Sequence, residues 1–108
     1  MITVIVKTQN NEYREIVASG HAGFAKPGDK DIVCAAVSAL IINCENSIDT
    51  LTDDLFDSAA DENGITYIKI KNNHSHDTRV LVDSLVLGLK MIQSQYGKKH
   101  LQVRIEEV

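Results

Sequence analysis

Apolar and polar positions alternate from the start of the chain, with Ile2, Val4 and Val6 set against Thr3, Ile5 and Lys7, a period of two that predicts a strand. After the polar turn Gln9-Asn10-Asn11 a second strand is expected from about Tyr13 to Ser19, so that a hairpin delivers His21 to its far end. From Asp31 to about Thr52 the spacing becomes helical. There Ile32, Val33, Val37, Leu40, Ile41, Ile42, Ile48 and Leu51 cover more than one face, which predicts a helix buried on two sides. Two further strands, Leu55 to Ala60 and Ile65 to Lys71, flank Asp61-Glu62-Asn63-Gly64, where Asn-Gly is a hairpin signal. A second helix is expected from about Asp77 to Tyr96 with Gly97 as its C-terminal cap, and Leu101, Val103 and Ile105 alternate as a last strand. The order ββαββαβ predicts an α+β two-layer sandwich, in which two helices cover a largely antiparallel five-stranded sheet.

Composition narrows the class. The 108 residues contain no linker, repeat or low-complexity tract, which fits a single domain over 1–108. The chain is 44% hydrophobic and 24% charged, ordinary for a globular protein, and no apolar run is expected to approach the ~20 residues that span a bilayer. Met1-Ile2-Thr3-Val4-Ile5-Val6-Lys7 reads as a strand and not as a basic secretory leader, so a cytoplasmic location is expected. Cys34 and Cys44 fall ten residues apart on one helix, roughly 15 Å along its axis and too far for a disulfide. With 15 acidic residues against 11 basic ones, for a net charge of −4, the chain has no dense basic stripe. That argues against direct nucleic-acid binding and is compatible with a basic polypeptide substrate.

The candidate chemistry lies between His21 and Cys34. A glycine-flanked His leaves a strand, the breakers Gly23, Pro27 and Gly28 let the chain fold back, and a Cys follows in the first turn of an apolar helix. Asp31 is a good N-cap and would place Cys34 at the third helical position. There, unpaired backbone N–H groups and the positive end of the macrodipole favour a thiolate, an imidazole from His21 would favour it further, and the same N–H groups could hold an oxyanion. The competing reading is a packed cysteine and a surface histidine, since Cys is among the residues most often buried.

Other constellations carry less. His74-Ser75-His76 lies in a polar loop without a convincing third ligand, so a solvated turn is expected and no metal. His100 is expected to be exposed, and Asp53-Asp54 and Glu106-Glu107 to be solvated pairs at element ends. Cys44 reads as a packing residue. Neither a phosphate-cradling glycine loop nor a dinucleotide fingerprint is present, and no cofactor is expected.

Gly20-His21-Ala22 and Asp31-Ile32-Val33-Cys34-Ala35-Ala36-Val37-Ser38 resemble the signature of the bacterial ribosomal-processing cysteine protease family Prp, whose members are small proteins of about this length. The resemblance implies that His21 and Cys34 form a catalytic dyad, supported by Gly20, Asp31 and Ser38. Ser38, four residues past Cys34, lies one helical turn away on the same face. It further implies a homodimer and, as substrate, the N-terminal extension of large-subunit ribosomal protein twenty-seven, cut after an aromatic pair. The loop between the two segments is about one residue longer than in the family and contains Pro27. A noncatalytic ribosome-assembly or protein-binding module is the alternative, and a thiol redox sensor a third, disfavoured by the lack of a resolving Cys near Cys34.

Overall fold

The alternation at the N-terminus forms the hairpin it predicts. The computed structural model describes residues 1–20, 23, 31–61 and 64–108, and within them come β1 (Ile2–Gln9), β2 (Glu12–Gly20), α1 (Ile32–Leu51), β3 (Phe56–Ala60), β4 (Thr66–Ile70), α2 (His76–Tyr96) and β5 (Leu101–Glu107). Both hairpin strands reach further toward the turn than expected, because Asn10 and Asn11 adopt left-handed φ values of 52° and 63° and reverse the chain in two residues.

The five strands form one sheet in the order β3-β4-β2-β1-β5. Every pairing is antiparallel except that of β1 with β5. The two faces differ in chemistry. Ile2, Val4, Val6, Ile16, Ala18, Ile68, Ile70 and Leu101 are buried and share the core with the helices. On the opposite face the register aligns Glu106, Lys7, Glu15, Lys69 and Asp57 across all five strands, a row of alternating charge. Lys7 Nζ lies 3.5 Å from Glu15 in that row. Opposite charges on neighbouring strands add about 0.2–1 kcal/mol each and fix the register, since a one-residue slip would put the row into the core.

α1 departs from the expectation of burial on two sides. Only the stripe Val33, Val37, Ile41, Cys44 and Ile48 is buried, whereas Ile32, Ile42 and Leu51 are exposed. The reason is the two-layer architecture, which offers a helix one sheet face and one flank, here filled by α2. By length and composition α1 does pass the test for a membrane-crossing segment, contrary to the expectation that no apolar run comes near it. Its most apolar stripe is nevertheless part of the core. The two helices meet closely at Gly88, where an added Cβ would come within 2.9 Å of Leu40 Cδ1.

α2 begins one residue earlier than expected, with Ser75 as its cap. The carboxylate of Asp54 accepts from Ser75 N at 2.8 Å, from Ser75 Oγ at 2.6 Å and from Thr78 Oγ1. Thr52 adds its own side-chain bonds, so the C-terminus of α1 and the N-terminus of α2 are tied together. Asp54 is thus a partly exposed residue with a structural role, while Asp53, Glu106 and Glu107 are exposed as expected. At the other end of α2, Gly97 caps the helix with φ 99°, and Gln93 Oε1 accepts from Val103 N at 2.8 Å, joining the helix to β5. His100 is half-buried, not exposed, and its carbonyl accepts from Ile2 N at 2.9 Å at the start of β1.

Candidate active site

Cys34 is placed by its helix, and the helix by its cap. Asp31 is extended at φ −85°, ψ 103°, and its Oδ1 accepts from Val33 N and Cys34 N, each at 3.0 Å. Ala35 N donates to the Asp31 carbonyl at 3.1 Å, which closes the first turn. Cys34 therefore stands at the third helical position, as expected, half-buried and in no disulfide. One expectation changes. The backbone N–H groups of Val33 and Cys34, expected to be unpaired and available to an oxyanion, both donate to the Asp31 carboxylate.

The thiol opens on a cleft of about 280 Å³ between α1 and the neighbouring ends of the sheet. Cys34, Ser38 and Glu45 line it from the helix, with Val37, Ile41 and Ile42 as its apolar side, and Ala18, Ser19 and Gly20 of β2, Thr66 of β4 and Gly64 just before it line the other side. The structure thus brings together Gly20, Cys34 and Ser38, with Asp31 holding the turn above them. Ser38 is exposed and one turn from the sulfur.

Gly20 has a steric reason to be glycine. Its φ is +89°, and an added Cβ would stand 2.3 Å from the Met1 carbonyl oxygen, so a side chain would be strained and would force the terminal strand away. This close approach ends β2 beside the cleft. His21 follows it directly and lies outside the described residues, as do Ala22 and 24–30, including Pro27 and Gly28. Gly23 is exposed with φ +63°.

The other cysteine is of a different kind. Cys44 is 3% exposed, its Sγ lies 3.8 Å from the Leu81 carbonyl oxygen, and burial, then the Glu45 charge, pushes its thiol up to about 11. A thiol of that kind stays protonated at neutral pH and acts as a packing residue, as expected. His74 is half-buried and His76 exposed, and among the described residues no group of three or more His, Cys, Asp or Glu side chains could hold a metal ion.

Sequence reasoning passed over Glu45 as a cleft residue. Its signal was the helical spacing itself, because Cys34, Ser38, Ile41 and Glu45 follow one another at three- and four-residue steps along one face.

A family model described as cysteine protease Prp matches residues 1–101. The ribosomal processing cysteine protease Prp of Staphylococcus aureus strain Mu50 is 30% identical over 101 residues, covering 91% of this chain and 93% of that protein. The crystal structure of an essential ribosomal processing protease Prp from S. aureus, in complex with a covalently linked product peptide, matches with TM-score 0.89 at 25% identity, over 98% of this chain and 100% of that one. SMU.848 from Streptococcus mutans has the same fold, with TM-score 0.85 at 24% identity over 100% of this chain and 96% of its own.

Proposed function

The chain belongs to the Prp family of cysteine proteases, and from that premise we propose that it removes the N-terminal extension of the bacterial large-subunit ribosomal protein numbered twenty-seven during ribosome assembly in the cytoplasm. The observation that carries this reading is Cys34, half-buried in the first turn of α1 and opening on a cleft also lined by Ser38 and Gly20. In this reading the Cys34 thiolate attacks the scissile carbonyl carbon and His21 accepts the thiol proton. That proton passes to the leaving amine as the C–N bond breaks. The resulting thioester is hydrolysed by water, which His21 deprotonates, and the thiol is regenerated. The covalently linked product peptide of the S. aureus Prp structure supports a covalent route in this family.

Asp31 acts here by holding the turn that carries the nucleophile, and Ser38 offers its hydroxyl to the bound peptide. With Val33 N and Cys34 N donating to Asp31, oxyanion stabilisation falls to other donors around the peptide. The test is incubation of purified protein with the extended ribosomal protein, followed by mass measurement of the product. Loss of the N-terminal segment with wild type but not with Cys34→Ala is the expected result, and processing by Cys34→Ala within tenfold of wild type would overturn it.

The same reading includes a homodimer. Ile32 of α1 and Leu87 and Met91 of α2, which lie outside the cleft lining, are 51%, 63% and 64% exposed, large apolar side chains left in water on the helical layer. A second copy covering that layer predicts a dimer by sedimentation, and Leu87→Glu with Met91→Glu a monomer. A monomeric wild type would remove this part.

A further inference from the structure

The cleft beside Cys34 continues past the thiol. It follows α1 along Val37, Ile41 and Ile42 and reaches Glu45, the one charged residue among its described lining residues. Glu45 is half-buried, and burial raises its carboxyl above the ordinary carboxylate value. Among the described residues no side chain or backbone group donates to that carboxylate and no cation pairs with it. A partly desolvated acid without a donor is a cost that a bound cationic group would relieve. Just beyond, Glu45 also borders a polar groove with Asp49 and Asp54, where the Asp57 carboxylate is already paired with Lys71 Nζ at 3.0 Å, so carboxylates and no unpaired cation line this end among the described residues.

The spacing sets where a cation would sit. Glu45 is eleven residues beyond Cys34 on the same helix, about 16 Å along its axis at 1.5 Å per residue. An extended peptide covers that distance in about five residues at 3.3 Å each.

We propose that Glu45 is a specificity-determining residue of the protease reaction, reading a Lys or Arg side chain of the peptide substrate about five residues from the bond that Cys34 attacks. This rests on the reading of the cleft as the site of peptide cleavage. Glu45 takes no part in the bond chemistry. It acts through binding, by accepting hydrogen bonds from the ammonium or guanidinium group.

The experiment compares peptides that carry one Lys, moved stepwise from three to seven residues from the scissile bond on either side, with the same peptides carrying norleucine there. The readout is the ratio of kcat/KM for Lys over norleucine within each enzyme variant, which cancels differences in folded fraction. Wild type should favour Lys by about tenfold at a position near five on one side. Glu45→Gln should bring that ratio close to one, and Glu45→Lys should turn it into a preference for a Glu-bearing peptide. A wild-type ratio of one at every position, or a Lys preference unchanged in Glu45→Gln, would overturn the assignment while leaving the protease reading intact. No cleavage of any peptide or of the extended ribosomal protein by wild type would remove both.

Discussion

The two helices begin alike and are used differently. Each has a capped N-terminus with a polar side chain at its third position, Cys34 in α1 and Thr78 in α2. At α2 the end is closed by the protein itself. Thr78 is fully buried, and the Asp54 carboxylate collects the donors of Ser75 and Thr78. At α1 the Asp31 carboxylate accepts from the backbone of Val33 and Cys34, and the third residue is left half-exposed on a cleft. A helix N-terminus attracts an anion in either case. The two ends differ in that the first-turn side chains of α2 donate to Asp54, with Thr78 buried, whereas Cys34 opens on a cleft.

That difference makes its sharpest forecast for activity. Cys34→Ala should lower turnover of the ribosomal substrate at least 1000-fold, an order typical of a lost nucleophile, and His21→Ala should do the same, both with unchanged thermal midpoints. Thr78→Ala, the matching change in α2, should leave turnover alone and lower stability, because it strips a buried hydrogen-bonding group. Equal losses of turnover at both helix starts would erase the distinction. Cys44→Ala should keep activity and cost some packing.

Gly20 tests the open end from the strand side. A Val there needs an unfavourable φ of +89° and must displace the Met1 carbonyl, so Gly20→Val should cost about 2–4 kcal/mol, measured by urea unfolding. The loss of turnover should exceed the loss of folded protein, since the strand end also leads into His21. Gly97→Val, at a positive φ with open space around it, should show strain alone.

Most of the architecture could be read from periodicity, because alternation in β1 and β2, the Gly97 cap and the glycine-ended hairpin are local signals. The features that depart from these local signals depend on partners distant in sequence. The apolar residues of α1 count two faces, but whether a second layer covers Ile42 or Leu51 is a property of the whole fold. Ser75 looked like part of a histidine-bearing turn because its role depends on Asp54, 21 residues earlier. At the site, Asp31 as cap and Cys34 at the third helical position follow from short-range rules, whereas the pairing of the Cys34 N–H with Asp31 leaves the oxyanion a different set of donors. Glu45 was visible only as a spacing, and its burial beside a cleft was not.

The two carboxylates at the helix starts should separate in a smaller way. Asp31→Ala and Asp54→Ala each remove a carboxylate that receives donors of a helix start, at about 1–2 kcal/mol each. Only Asp31→Ala should also reduce kcat, by roughly tenfold, because it loosens the turn that aims Cys34. Asp54→Ala should lower the unfolding midpoint with kcat unchanged. A fall in kcat with Asp54→Ala as large as with Asp31→Ala would mean that the α2 end reaches the site after all.

The smallest expected effect concerns acid. Hydrogen bonds from Ser75 and Thr78 hold the Asp54 carboxyl below its ordinary value, outweighing the opposing effect of burial. A carboxyl lowered by folding stabilises the native state above its unfolded value of about 3.9 and loses that contribution as pH falls through the lower folded value. Urea midpoints of wild type should therefore drop as pH falls below about 4, and those of Asp54→Asn should start lower at neutral pH and drop less over the same range. The group is partly exposed, so solvent screening keeps the difference modest, and high salt should shrink it further. Parallel curves for the two proteins would mean that the closed end of α2 is held by Ser75 and Thr78 alone. The contrast with the open end of α1 would then lie in burial and not in charge.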